Sequence, residues 1–207
     1  MPEALPPIEE LRSLFEPHVI RGILGRLRMQ WLLRHFDERV VWAVFMFVNG
    51  FVSIGLLSLV ALATGTPFVF PSLGPTAFLF FFDPRAPSAS PHHAIKGHLI
   101  GIVCGYGALV LFGLQHAGSA LATGMDMRRV LAAALSLAAT GALMILLKAA
   151  HPPAGATTLI ISLGAITRPL HLVVIEGALV LLVLQAIGIN RLAGLDYPLW
   201  RPRRLKI

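Results

Sequence analysis

The sequence predicts an all-α polytopic membrane protein made of two three-segment repeats, each carrying one broken half-helix. Three observations lead there. Val40–Phe82 runs 43 residues without an Asp, Glu, Lys or Arg, more than twice the roughly 20 apolar residues that span a bilayer. Basic residues crowd the two ends: Arg12, Arg21, Arg26, Arg28, Arg34 and Arg39 on one side, Arg191, Arg201, Arg203, Arg204 and Lys206 on the other. A stretch that no plain membrane helix tolerates, His151-Pro152-Pro153-Ala154-Gly155-Ala156-Thr157-Thr158, lies inside hydrophobic sequence. With 56% hydrophobic residues, 13% charged and a mean hydropathy of +0.77, an ordinary soluble domain is excluded. The net charge of +7 does not point to nucleic acid, because it sits in the flanks and is not interleaved with aromatic residues. Basic flanks mark cytoplasmic ends and attract anionic headgroups. The expectation is an integral protein of a bacterial inner membrane with both termini cytoplasmic.

Residues 1–39 form a cytoplasmic lead-in. It begins with prolines and the acids Glu3, Glu9 and Glu10, which does not read as a signal peptide. Ile20, Ile23, Leu24, Leu27 and Trp31 then recur at helical spacing, with arginines mostly off that face, predicting an amphipathic helix in the headgroup layer. The membrane domain follows over 40–190. Its first span, Val40–Ala63, carries only Asn49, Ser53 and Ser58 as polar side chains and stops at Thr64-Gly65-Thr66-Pro67. A short apolar run ends at Asp83-Pro84, and a polar loop leads to a span in which Gly97, Gly101 and Gly105 recur every four residues. Such a stripe admits close backbone approach within one chain or between protomers, so a homo-oligomer stays open as a partner. After a polar turn near Met125–Arg129, Val130–Leu147 leads through Lys148 to the proline-broken stretch. The last span holds Glu176 and Gln185, and 191–207 is a basic cytoplasmic tail. Cys104 is the only cysteine, which excludes an intrachain disulfide, and a small packing role suits it.

Prolines at 152 and 153 lack backbone donors and end the incoming helix near His151, yet proline suits the first turn of a new one. Broken backbone at membrane depth persists only where it is buried in protein or lines a cavity. Pro71-Ser72-Leu73-Gly74-Pro75-Thr76-Ala77 repeats the pattern: proline, glycine and threonine coincide with Pro152, Gly155 and Thr157 at an offset of 81 residues. The repeats are then 40–116 and 129–190, each reading span, broken segment, span. If the broken segments cross, there are six membrane segments and the repeats are inverted. If they re-enter, there are four spans and the repeats are parallel. Six is favoured, although Arg85 and Lys96 in one contested loop and Arg128 and Arg129 in the other leave charge counting undecided.

The run His151-Pro152-Pro153-Ala154-Gly155-Ala156-Thr157, with Pro71-Ser72-Leu73-Gly74 and Pro91…Gly97-His98 in the same order, resembles the HPP family of integral membrane proteins over about residues 40–190. The resemblance implies a four-span description and, from chloroplast and cyanobacterial members, transport of nitrite. The chain departs from the family pattern in having Pro75 after Gly74, and His92-His93 after Pro91.

The chemistry of paired helix starts agrees with that implication. A helix N-terminus carries partial positive charge and unpaired amides that suit a small anion, and paired broken helices at the midplane are a transporter construction. The candidate substrate-binding residues are Ser72, Gly74, Thr76, His151, Gly155, Ala156, Thr157 and Thr158. Since the first copy has Phe70 where the second has His151, the shared glycine, threonine and amides weigh more than the histidine. Glu176 and Lys148 are candidates for coupling or for an ion pair. The expected function is a transporter or channel for a small inorganic anion, nitrite foremost. The alternatives are transition-metal handling through His92, His93 and His98, or a membrane scaffold that recruits a partner. An enzyme using Ser72 or Thr157 with His151 as base lacks an elbow, an orienting carboxylate and an HExxH helix, so no catalytic residue, metal ligand or cofactor is expected.

Overall fold

A computed structural model of the chain describes residue 25 and residues 28–202. Among these residues the fold is entirely helical: α1 (Met29–His35), α2 (Glu38–Thr64), α3 (Leu73–Phe82), α4 (Pro91–Leu111), α5 (Ala120–Thr123), α6 (Met127–Leu146), α7 (Ala154–Ser162) and α8 (Pro169–Leu192), with one 3₁₀ turn at Pro87–Ala89. Four helices, α2, α4, α6 and α8, are long and apolar enough to cross a membrane. α3 and α7, of 10 and 9 residues, extend only about 15 Å each at 1.5 Å per residue. They begin at Leu73 and Ala154, the same place in the two proline motifs. Most of the amphipathic stretch expected from Ile20 to Trp31 lies outside the described residues. Its described end is the short α1, where Trp31 stacks on His35 at 4.1 Å.

Local chemistry sets the helix ends. Asp37 caps α2, accepting from the Arg39 and Val40 amides at 2.9 and 3.3 Å, and the left-handed Gly65 closes it. Ser90 caps α4, which opens on Pro91. Asp126 caps α6, and the Arg129 amide, with the Arg128 guanidinium beside it, holds that carboxyl below its usual range. Arg129 itself is buried and donates to the Gly124, Ala117 and Gly118 carbonyls, tying the loop before α6 to its first turn.

Contacts fix the direction of each element. The Met29 amide donates to the Ala193 carbonyl, so α1 and the segment after α8 share one end of the bundle, the terminal end. α2 runs away from that end and α3 returns beside it, Phe81 lying edge-on to Phe45 at 6.3 Å. Asn190, near the end of α8, donates to the Phe80 carbonyl at 3.1 Å, which keeps the end of α3 at the terminal end. α4 leaves from there, and α6 comes back along it, with Ala132 beside Ala108 and Leu109, and Met144 beside Ile100. α7 then runs parallel to α4. Its far end is pinned where the Ala120 amide donates to the Leu163 carbonyl at 2.9 Å. α8 returns to the terminal end.

The glycine stripe seats α7. A Cβ on Gly97 would meet His151 Cβ at 2.6 Å, on Gly101 the Ala154 carbonyl at 2.8 Å, and on Gly105 the Thr158 carbonyl at 2.7 Å. The close approach anticipated for this stripe therefore occurs within the chain. Beyond Asn190, where the sequence suggests only a basic tail, Tyr197 is buried and its hydroxyl donates to the Ala89 carbonyl, while the His92 amide donates to the Trp200 carbonyl. Burial pushes the Tyr197 phenol up, which keeps it a donor.

Candidate functional site

The two proline motifs converge on His98. Thr76 and Thr157, each one turn into its short helix, hold opposite sides of that imidazole: Thr76 Oγ1 lies 2.9 Å from Nε2, and Thr157 Oγ1 lies 2.8 Å from Nδ1. The glycine stripe on α4 makes this geometry available, since only a ridge without side chains lets α7 lie close enough for Thr157 to reach across. His151 completes the cluster. Its Nε2 is 3.2 Å from Thr76 Oγ1 and its Nδ1 is 2.8 Å from the Ser88 carbonyl. The rings of His98 and His151 are 5.1 Å apart, with Phe80 packed 6.3 Å from His151. Thr76, His98, His151 and Thr157 are each at most 1% exposed.

Of the residues singled out from sequence, the fold thus brings together Thr76, His151 and Thr157. Ser72 is buried and places its carbonyl 3.2 Å from Thr76 Oγ1, a second acceptor within that hydroxyl's reach, while its own hydroxyl has no partner among the described residues. Thr158 is buried with its hydroxyl likewise unpartnered. Gly74 is exposed, and Gly155 and Ala156 are half-buried. The amides expected to be free at the start of α7 are already used: Ala154, Gly155 and Ala156 donate to the His151, Pro152 and Pro153 carbonyls at 3.0, 2.9 and 3.0 Å. The reason is local. The tight turns through Pro152 and Pro153 point carbonyls back at the first amides, so α7 offers the cluster a hydroxyl and not free amides. A cleft of about 410 Å³ opens between α3 and α7, lined by Pro75, Phe78, Leu79, Ser88, Pro152, Pro153 and Ala156. It lies against the sequence neighbours of Thr76, His151 and Thr157.

Lys148 sits in the break after α6 and lines a second opening with Ser88 and His93. Glu176 lies on α8, and neither carboxylate oxygen has a hydrogen-bond partner among the described residues. The histidines weighed for metal binding do not converge. His98 is held by the threonines, His92 packs against Trp200, and His93 reaches the Lys148 carbonyl at 3.0 Å. Among the described residues no group of three or more His, Cys, Asp or Glu side chains is placed to hold a metal. The residue whose role sequence reasoning missed is His98. Its signal was present in Gly97-His98, but its partners lie 22 and 59 positions away.

The pattern of the HPP transmembrane region matches residues 37–198. A transmembrane protein of Dictyostelium discoideum is 28% identical over 172 residues, which cover 79% of this chain and 51% of that protein. The chain therefore spans about half the length of the curated relative it matches. No solved structure matches it.

Proposed function

The chain belongs to the HPP transmembrane family, and from that membership we propose that it moves a small inorganic anion, nitrite foremost, across a bilayer as a transporter or channel. The observation that carries the proposal is the meeting of two short-helix first turns on one buried histidine, Thr76 and Thr157 taking its opposite nitrogens at 2.9 and 2.8 Å. A scaffold gains nothing from disrupted backbone and buried polar groups at membrane depth. A carrier needs both, because polar groups inside a membrane mark substrate paths. The binding groups are the hydroxyls of Ser72, Thr76, Thr157 and Thr158 with the His98 and His151 imidazoles. The backbone at Gly74, Gly155 and Ala156 shapes the turns, and the two helix dipoles favour negative charge. Glu176 and Lys148 stay candidates for coupling.

In this reading the chain forms six membrane segments in two inverted repeats, with both termini cytoplasmic in a bacterial inner membrane. The alternating direction of α2, α3, α4, α6, α7 and α8 supports it.

Nitrite uptake into liposomes holding purified protein tests the function. Wild type takes up nitrite above empty liposomes, and a Thr76→Val, Thr157→Val double variant loses at least about tenfold of that rate, since buried imidazole nitrogens lose their partners. Uptake by folded wild type no faster than empty liposomes overturns the reading.

A further inference from the structure

Hydrogen-bond geometry fixes one proton of the buried cluster and orders the others in one self-consistent arrangement. The Ser88 carbonyl can only accept, so His151 Nδ1, 2.8 Å away, carries a proton. In the neutral ring Nε2 is then an acceptor, filled by the Thr76 hydroxyl at 3.2 Å. Thr76 Oγ1 in turn accepts His98 Nε2–H at 2.9 Å, which leaves His98 Nδ1 to accept the Thr157 hydroxyl at 2.8 Å. All four bonds point one way, from Thr157 through His98, Thr76 and His151 to Ser88.

The same cluster accommodates one more proton without orphaning a donor. A proton added at His151 Nε2 makes that atom a donor to Thr76 Oγ1. The Thr76 hydrogen then turns to the Ser72 carbonyl, 3.2 Å away, and the second lone pair of Oγ1 still accepts from His98. Between the two states only a hydroxyl rotates. Staying satisfied in both states matters, because one unmet buried donor costs a full desolvation penalty.

We propose that the His98–Thr76–His151 cluster is a proton-binding site and that its proton moves with the anion, making the protein a proton–anion symporter. This rests on the carrier reading and deepens it by naming the coupling ion. A lone anion in hydrocarbon needs a counter-charge, and the first amides of α7 are tied into turns. The imidazole pair is the part of the cluster able to become cationic, and with the rings 5.1 Å apart repulsion limits it to a single charge. The shift along the chain balances. A proton taken up at His98 Nδ1, where the Thr157 hydroxyl turns from donor to acceptor, is matched by transfer of Nε2–H to Thr76 and of the Thr76 hydrogen to His151 Nε2. One charge moves, and each oxygen ends with one hydrogen. Ser88, whose carbonyl accepts from His151, also lines two openings, one beside Lys148 and His93 and one between α3 and α7. The ionisable groups on the surrounding elements are His92, His93 and Lys96 on α4, Lys148 in the break, Arg128 and Arg129 at the start of α6, and His171, Glu176 and Arg191 on α8. Cys104 and Tyr106 on α4, Asp83 and Arg85 in the loop, and Asp196, Tyr197 and Arg201 in the tail complete them; α3 and α7 carry none.

Proteoliposomes of the full chain loaded with a pH dye test this at zero membrane potential, with nitrite as the probe and empty liposomes subtracted for acid leakage. Wild type acidifies the lumen as nitrite enters, one proton per anion, and uptake rises as the external pH falls. The His98→Gln, His151→Gln double variant loses both the nitrite-driven acidification and the pH dependence. Nitrite entry without protons in wild type, or unchanged proton coupling in the double variant, overturns the proposal and leaves the anion reading standing. No nitrite flux above empty liposomes removes both. Nitrogen-15 spectra of histidine in the wild type read the chain without any variant: at neutral pH His98 carries its proton on Nε2 and His151 on Nδ1. Either opposite tautomer overturns the directed chain.

Discussion

Lys148 occupies a backbone conformation that a side chain rarely adopts, with φ at 50°. It follows the last turn of α6, where the Lys148 amide donates to Ile145 at 3.2 Å and the Ala149 amide to Met144 at 2.9 Å. That pattern closes helices and ordinarily takes glycine. Holding an L residue there costs about 1 kcal/mol, and strain of this kind collects at functional positions. The conformation leaves Lys148 lining the opening with Ser88 and His93, where the proposed function takes it as a candidate for coupling. Lys148→Gly therefore raises stability by about 1 kcal/mol in thermal unfolding in detergent while slowing anion uptake; a less stable variant refutes the strain argument. At this scale the sequence is only partly readable. Threonines, prolines and His151 stand out because each acts on its immediate neighbours. His98 does not, because its meaning lies in contacts with residues 22 and 59 positions distant that no local pattern encodes.

Helix ends are the best-read elements for the same reason. The two proline motifs start α3 and α7 at equivalent positions, and the structure adds Asp37, Ser90 and Asp126 as caps of α2, α4 and α6, residue types suited to that place. Which surfaces then pack is decided by shape at a distance. The glycine stripe on α4 announces a close neighbour without naming it, and the neighbour is the break and α7. Gly101 shows how much depends on it. Its missing Cβ would stand 2.8 Å from the Ala154 carbonyl, a backbone atom that moves only if α7 moves. Gly101→Ala should destabilise by about 1–3 kcal/mol, the usual cost of overpacking. Gly107, on the same helix with open space around it, should tolerate alanine or gain up to about 1 kcal/mol from helix propensity. Thermal unfolding of the two variants side by side checks this, and equal effects would mean that α7 does not sit on the stripe.

At the scale of the whole molecule, the proposed six-segment topology rests on the element directions added together, where charge counting in the sequence leaves the choice open. The contested loops become distinguishable once the contacts around them are known. The loop carrying Arg85 belongs to the terminal end, because Ala89 receives the Tyr197 hydroxyl and the His92 amide meets Trp200. Arg129 holds the carbonyls of the 112–126 loop at the far end. Arg28, Arg34, Arg39, Arg85, Lys96, Lys148, Arg191 and Arg201 then gather at the terminal end, against Arg128, Arg129 and Arg168 at the far end. That bias supports the proposed inward orientation of the terminal end. The two topologies separate experimentally at the loops. With crossing half-helices, residue 85 shares a side with residue 201, and residue 116 lies opposite. With re-entrant half-helices the two loops exchange sides. Cys104 is the only native cysteine, so a Cys104→Ala background carrying Arg85→Cys, His116→Cys or Arg201→Cys can be labelled from one side with an impermeant maleimide. Labelling of residues 85 and 201 from the cytoplasmic face and of residue 116 from the other is the outcome expected. Residues 116 and 201 labelling together would return the chain to four spans and would break the inverted relation on which a symmetric path between the half-helices depends.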